Sequence, residues 1–193
     1  FFAGTYFPKE DRYGRSGLKS LLIALSRLWK EEQKRANQVG EKILAHIEKW
    51  SKPVPGDKLD PSILDHAFEQ FARQFDSVFG GFGDAPKFPR AHDLLFLLRY
   101  GKENEEPEAF HMVTHTLKQM RKGGIYDHLG FGFARYAVDR EWLVPHFEKM
   151  LYDQAMLSIA YLEAYQATGE VWMARVAEEI FHFVFEEMTS PEG

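Results

Sequence analysis

The sequence predicts a mainly α-helical chain in which helical hairpins repeat, as in a solenoid or a closed helical toroid. Three observations carry that reading. Apolar residues recur at helical spacing through most of the 193 residues. Helices with one wet face alternate with a helix that is apolar on both sides. The order helix, Gly-Gly turn, aromatic-acidic loop, helix occurs twice.

The elements follow in chain order. Phe1-Phe2-Ala3-Gly4-Thr5-Tyr6-Phe7-Pro8 is an aromatic, strand-like run without a partner strand in reach, and reads as the last strand of something preceding it. From Gly17 to about Trp50 the pattern is one helix, with Leu18, Leu21, Leu22, Leu25, Leu28 and Trp29 on a face and a solvated charged stretch over Lys30–Arg35. Ser51-Lys52-Pro53-Val54-Pro55-Gly56 breaks it, so residues 51–58 read as a linker between a unit at 1–50 and a helical domain at 59–193. Asp60-Pro61 caps the next helix. Its stripe runs Ile63, Leu64, Ala67, Phe68, Phe71 and Phe75, with Asp65, Glu69, Arg73 and Asp76 facing away. Helices over 91–100 and 107–122 follow, the second amphipathic through Ala109, Met112, Val113, Leu117 and Met120.

Alternation at Phe131, Phe133, Arg135, Tyr136 and Val138 reads as a short β-hairpin inserted before the helix from Pro145 to about Thr168. At about 100° per residue, His146, Met150, Asp153, Leu157, Ala160 and Ala164 share one side of that helix. Leu151, Ala155, Ile159 and Leu162 take the other, which predicts burial all round. Residues 171–188 return to the amphipathic type, and Ser190-Pro191-Glu192-Gly193 ends on turn residues. Both ends read as those of a segment from a larger protein.

Composition narrows the function. With 24 basic against 29 acidic residues and a net charge of -5, there is no footprint for nucleic acid or an anionic membrane. No apolar run approaches the ~18 residues that span a bilayer, and a cytoplasmic location is the expectation. The absence of cysteine excludes disulfides, thiol nucleophiles and Cys-bound zinc within these residues. His111 and His115 have i, i+4 spacing but lack the acid of a zinc helix, so no metal or cofactor is expected. Gly80-Gly81-Phe82-Gly83 follows no strand and is not a dinucleotide fingerprint.

Polar chemistry concentrates in the two Gly-Gly loops. Lys87, Asp127, His128, Arg135, Tyr136 and Trp142 are expected to converge over the inner helix ends, with Phe82, Tyr126, Phe131, Phe133 and Trp142 adding ring faces suited to a sugar. The structural alternative is that the glycines cap helices and the rings roof the core. At the start of the Pro145 helix, the dipole would keep His146 neutral and able to act as a base, with Glu148 favouring the same helix end and Asp153 two turns along the face. The alternative there is a satisfied core histidine, with Asp153 paired to Lys149 or Arg135.

The segments Gly4-Thr5-Tyr6-Phe7-Pro8, Gly80 to Pro89, Gly123 to Gly130, and Trp142 to Asp153 resemble, in order, the YyaL / spermatogenesis-associated family. The resemblance implies a thioredoxin-like domain followed by a six-hairpin (α/α)6 toroid similar to glycosidases and N-acylglucosamine 2-epimerases. On that reading residues 1–50 hold the end of the thioredoxin-like domain and a connecting helix, and roughly two and a half hairpins of the toroid follow. The family's C-x-x-C-type segment would lie upstream, and the later inner helices that carry acid and base histidines in sugar epimerases are not among these residues. Ala134 stands where the family pattern often has a histidine before Arg135-Tyr136.

The resulting expectation is a toroid acting on a carbohydrate, by isomerisation or epimerisation rather than hydrolysis. His146, Asp127, His128 and Glu148 are the candidate catalytic residues. Lys87, Phe82, Tyr126, Arg135, Tyr136, Trp142 and Asp153 are the candidate substrate contacts. The competing reading is a non-catalytic toroid that binds a ligand or partner beside a thioredoxin-like redox or recognition domain.

Overall fold

The structure is a computed structural model and describes residues 6–53, 56 and 60–192. It divides into two units, Phe1–Lys58 and Leu59–Gly193. The first five residues of the strand-like run, and Val54, Pro55, Asp57 and Lys58 of the linker, lie outside the described residues.

In the first unit the expected single helix is two, α1 (Leu18–Glu31) and α2 (Gln33–Ser51). Glu32 breaks them by leaving the helical region at φ -131° and ψ 38°. The break falls in the charged stretch, where Arg27–Glu31 and Glu32–Arg35 ion pairs are exposed at 2.8 Å each and are weakened by solvent. Leu22, Ile23, Leu44, Ile47 and Trp50 are exposed on this unit.

The second unit begins with α3 (Ser62–Gln74), whose first turn is capped by Asp60 Oδ1 accepting the Ser62 amide at 2.9 Å. Then come α4 (Ala91–Glu103), α5 (Pro107–Lys122), the strands β1 (Tyr136–Ala137) and β2 (Pro145–His146), α6 (Leu151–Thr168) and α7 (Val171–Glu187). α4 packs on both α5 and α6, α6 packs on α7, and α3 covers α4 and α5. Apolar content explains the layering. Leu94, Leu95, Leu97 and Leu98 of α4 and Leu157, Ala160, Tyr161 and Ala164 of α6 are buried, so α4 and α6 form an inner pair and the amphipathic α3, α5 and α7 an outer layer. This is a partial toroid of helical hairpins.

Two expectations change. The inner helix starts at Leu151 and not Pro145, because Pro145-His146 pairs antiparallel with Tyr136-Ala137, placing His146 opposite Tyr136. The carbonyls that would begin a helix are used elsewhere. Val144 O accepts from Val138 N at 2.9 Å and Glu148 O from Arg135 N at 2.7 Å. His146 therefore sits in a strand, outside the field of a helix end, and the hairpin spans Tyr136 to His146.

The second change concerns α6, which is not buried all round: Leu151, Ile159 and Leu162 remain 40–55% exposed. Phe181 and Phe185 of α7 are exposed as well. Covering a large apolar side chain is worth about 1.5–3 kcal/mol, so residues 1–193 expressed alone are expected to self-associate. Light scattering after size exclusion should show species growing with concentration. A monodisperse monomer at every concentration would contradict it.

Candidate functional site

Both long loops, 75–90 and 123–150, connect an outer helix to an inner one and meet at the N-terminal ends of α4 and α6. Lys87 and Ala137 exchange both backbone hydrogen bonds, at 2.8 and 2.9 Å, which ties the loops together. Beneath that bridge lies an ionic cluster. The Lys87 ammonium, fully buried, donates to Asp76 Oδ2 and to the Gly80 carbonyl, both at 2.8 Å, and lies 5.3 Å from the Trp142 ring. Arg140 clamps the same carboxylate from outside, with Nε 2.6 Å from Oδ2 and Nη2 2.9 Å from Oδ1.

Burial alone would raise the Asp76 pKa. The Arg140 and Lys87 hydrogen bonds, joined by the Phe79 and Val78 amides, instead hold it well below the usual carboxylate range. Gly80 lets the loop that carries its carbonyl lie directly on α5: at φ 69° a Cβ would stand 2.7 Å from the Thr116 Cα. Gly123, which ends α5, is extended at φ -78° and is no left-handed cap.

This arrangement removes four residues from the expected ligand-contact set. Lys87 and Trp142 are interior, and the Trp142 indole donates to the Phe79 carbonyl at 2.8 Å. Phe82 packs against Phe71 and Phe75 in the core. Tyr126 is buried, and its hydroxyl donates to Glu179 Oε2 at 2.6 Å. Asp76, expected on the wet face of α3, is the centre of the cluster; its partners come from 11 and 64 residues away, and no local pattern announces them.

Asp127 and His128 serve their own loop. Asp127 Oδ2 takes a hydrogen bond from Lys149 at 2.8 Å, and Oδ1 takes the Leu129 and Gly130 amides at 2.9 Å each. The Lys149 contact, with those amides, lowers the carboxyl to about 2, so it stays ionised at neutral pH. His128 sits between Arg121 Nη1, 3.0 Å from its Nδ1, and the Gly123 carbonyl, 3.2 Å from its Nε2.

The other candidates do come together. Arg135 donates from Nε to the Tyr152 hydroxyl at 3.1 Å and from Nη1 to Glu148 Oε2 at 3.2 Å. His146 Nδ1 lies 3.5 Å from the same Glu148 oxygen. The His146 ring stacks on Tyr136 at 4.6 Å between centroids, and Tyr136 lies 4.8 Å from Phe88, giving a three-ring shelf.

Beside the shelf is a groove of about 330 Å³ lined by Phe88, Pro89, Arg90, Tyr152, Asp153 and Met156. Asp153 Oδ2 is buried without a hydrogen-bond partner. Burial raises its carboxyl to about 6 against the opposing field of Arg135. An acid titrating there can hold or release a proton near neutral pH. A larger cleft of about 470 Å³, between Arg99, Lys102, Phe110 and Glu163, lies at the other end of the inner helices. Its carboxylate is tied to Arg99 at 2.6 Å.

Phe88, Arg90 and Tyr152 escaped the reading of the sequence. Phe88 and Tyr152 stand inside the segments that carry the family resemblance, next to the candidates Lys87 and Asp153, so adjacency was the available signal. Among the described residues no three His, Asp or Glu side chains are placed to share a metal ion, and no helix is long and apolar enough to cross a membrane.

Residues 1–48 match a DsbH-type thioredoxin family described as a protein of unknown function, DUF255. Spermatogenesis-associated protein 20 of Homo sapiens is 38% identical over 201 aligned residues, covering all of this chain and 26% of that protein. An uncharacterized protein of Caenorhabditis elegans is 40% identical over 170 residues, covering 86% of this chain and 23% of its own length. The chain thus spans about a quarter of the curated relatives it matches.

Two solved structures share the helical fold. Cellobiose 2-epimerase from Bacillus thermoamylovorans has a TM-score of 0.58 at 16% identity, over 69% of this chain and 39% of that one. A sugar epimerase from a ruminal bacterium also has a TM-score of 0.58, at 20% identity, over 69% of this chain and 40% of that one. Relatives align along the whole chain, a thioredoxin-type match covers its start and a partial toroid follows, which bears out the resemblance to the YyaL / spermatogenesis-associated family.

Proposed function

We propose that the mouth formed by the two loops binds a carbohydrate and moves a proton at the carbon next to its carbonyl, as a sugar isomerase or epimerase. The observation that supports this most is Asp153: a half-buried carboxyl with a free buried oxygen and a pKa raised to about 6 by burial, in a groove beside a shelf of rings. The shelf of Phe88, Tyr136 and His146 offers faces for a sugar ring. The Asp153 carboxylic acid protonates the carbonyl oxygen as the neighbouring C–H bond breaks, and the His146 imidazole beside Glu148 receives the carbon-bound proton. Arg135 holds Glu148 and Tyr152 in place. The fold likeness to sugar epimerases raises this reading by analogy.

Hydrolysis is the weaker reading, because it calls for an acid and a second carboxylate flanking one bond. Asp127 is ionised and tied to Lys149, and Glu148 is paired with Arg135. Those same ion pairs favour a second reading, in which the mouth binds a sugar or another ligand without turnover beside a thioredoxin-like domain.

The test uses the full-length protein in deuterated water with glucose, mannose, cellobiose and N-acetylglucosamine, following hydrogen at C2 by NMR. Deuterium should enter C2 of at least one sugar, at a rate lowered 100-fold or more in Asp153→Asn and His146→Gln. Binding without exchange would support the second reading. Neither binding nor exchange would reject both.

A further inference from the structure

The mouth holds a second imidazole–carboxylate pair. α4 begins Ala91-His92-Asp93 and α6 begins Leu151-Tyr152-Asp153, so each inner helix carries an aspartate at its third position. The two helices pack side by side and run the same way: their first turns share the groove that holds Asp153, and their last turns share the cleft at the far end. His92 lines that groove with Asp153 and is 73% exposed, and its Nε2 lies 3.2 Å from Asp93 Oδ1. Asp93 is 7% exposed and is held from its other side by Arg90 Nε at 2.5 Å. The Arg90 guanidinium sits in turn over the rings of Phe71 and Phe82, at 5.9 and 5.8 Å, so the carboxylate is anchored in the core.

The negative charge 3.2 Å from Nε2 favours the ring proton on that nitrogen, which leaves Nδ1 as the lone-pair nitrogen for whatever occupies the groove. The arrangement parallels His146 beside Glu148, but it stands on a different element, the first turn of α4 and not the hairpin strand.

We infer that His92, oriented by Asp93, is a further proton-transfer residue of this site, acting from the α4 wall of the groove on a carbohydrate seated against Asp153. This rests on the carbohydrate reading of the mouth. In the step, the C–H bond next to the carbonyl breaks and its proton goes to His92 Nδ1. The electron pair forms the C=C bond, and the carbonyl oxygen takes the Asp153 proton to give an enediol. On the return, a protonated His146 gives its proton to the opposite face of that carbon and the enediol oxygen gives its proton back to Asp153, leaving the positive charge on His92. His92 then serves one wall and His146 another, which lets a proton leave and return on different faces of the sugar, so inversion at C2 is the outcome. Asp93 touches no substrate and is a positioning residue.

The experiment uses full-length protein with isotopically labelled histidine, and cellobiose and mannose as probes. Ring nitrogen NMR should find His92 protonated on Nε2, and its Nδ1 signal should move when a probe sugar is added. Asp93→Asn should mix the two tautomers while the sugar still binds, and His92→Gln should slow C2 exchange 100-fold or more with little change in KM. If the sugar shifts His146 signals but leaves those of His92 still, or if His92→Gln exchanges at the wild-type rate, this inference fails and the carbohydrate reading stands. If no residue of the groove responds to any sugar, both fail together.

Discussion

Replacing Asp76 by asparagine is expected to cost the helical unit about 3–5 kcal/mol, because it leaves the Lys87 ammonium buried without its counter-charge. The remaining partners of Lys87, the Gly80 carbonyl and the Trp142 ring, satisfy hydrogen-bonding geometry but carry no full charge. Lys87→Met removes the charge itself and should restore part of the stability when combined with Asp76→Asn. Denaturant unfolding of the two single variants and the double variant closes the cycle. Additive losses would show that the two charges are not coupled.

The same carboxylate sets an acid limit. Its folded pKa is depressed below the unfolded value, so its contribution is full above about pH 4 and is lost as the pH falls further. Acid unfolding of wild type should therefore flatten in Asp76→Asn.

Asp153→Asn should have the opposite sign. Its folded pKa of about 6 stands above the ordinary aspartate value of about 3.9. A raised carboxyl contributes stability that is present below the unfolded value and lost as the pH rises through the folded one. At pH 8 the wild type thus carries an ionised, partly buried carboxylate that asparagine does not. The full shift corresponds to roughly 3 kcal/mol, but the group is only partly buried, and screening reduces the expected gain to about 1 kcal/mol. Melting curves should show Asp153→Asn more stable than wild type at pH 8 and equal to it near pH 4. The variant should also lose proton transfer at the groove. Together these identify a group kept at the expense of stability, as site residues often are. A variant less stable than wild type at pH 8 would show Asp153 to be an ordinary structural residue.

How much was legible depends on the range of the interactions. The bodies of α3, α5 and α7 were readable because a 3.6-residue apolar period is local, and the Asp60-Pro61 start of α3 was readable because a cap acts within one turn. By the same local logic Pro145 looks like a first helical position, but the backbone amides of residues 135 and 138 claim carbonyls that a helix there would need. Glu32 ends α1 inside a charged run where either a straight helix or a break satisfies the pattern.

For the site, Arg135, Tyr136, His146, Glu148 and Asp153 were visible as one neighbourhood. They fall within 19 positions of a segment dense in polar and aromatic residues, and the hairpin folds that segment on itself. Lys87, Trp142, Phe82 and Tyr126 looked alike in sequence and proved interior, since a lysine or a ring in a glycine-rich loop carries no mark of which way it points.

Sequence alone determined the helical hairpin repeat, the family resemblance, the absence of thiol chemistry in these residues and the region where polar groups gather. Only tertiary structure decided that Asp76 and Lys87 are a buried latch, that His146 lies in a strand, and that Asp153 is the perturbed acid. The physical reason is that periodicity and capping are settled within a turn or two of chain. Burial, charge pairing and pKa depend on partners that the fold brings from dozens of residues away.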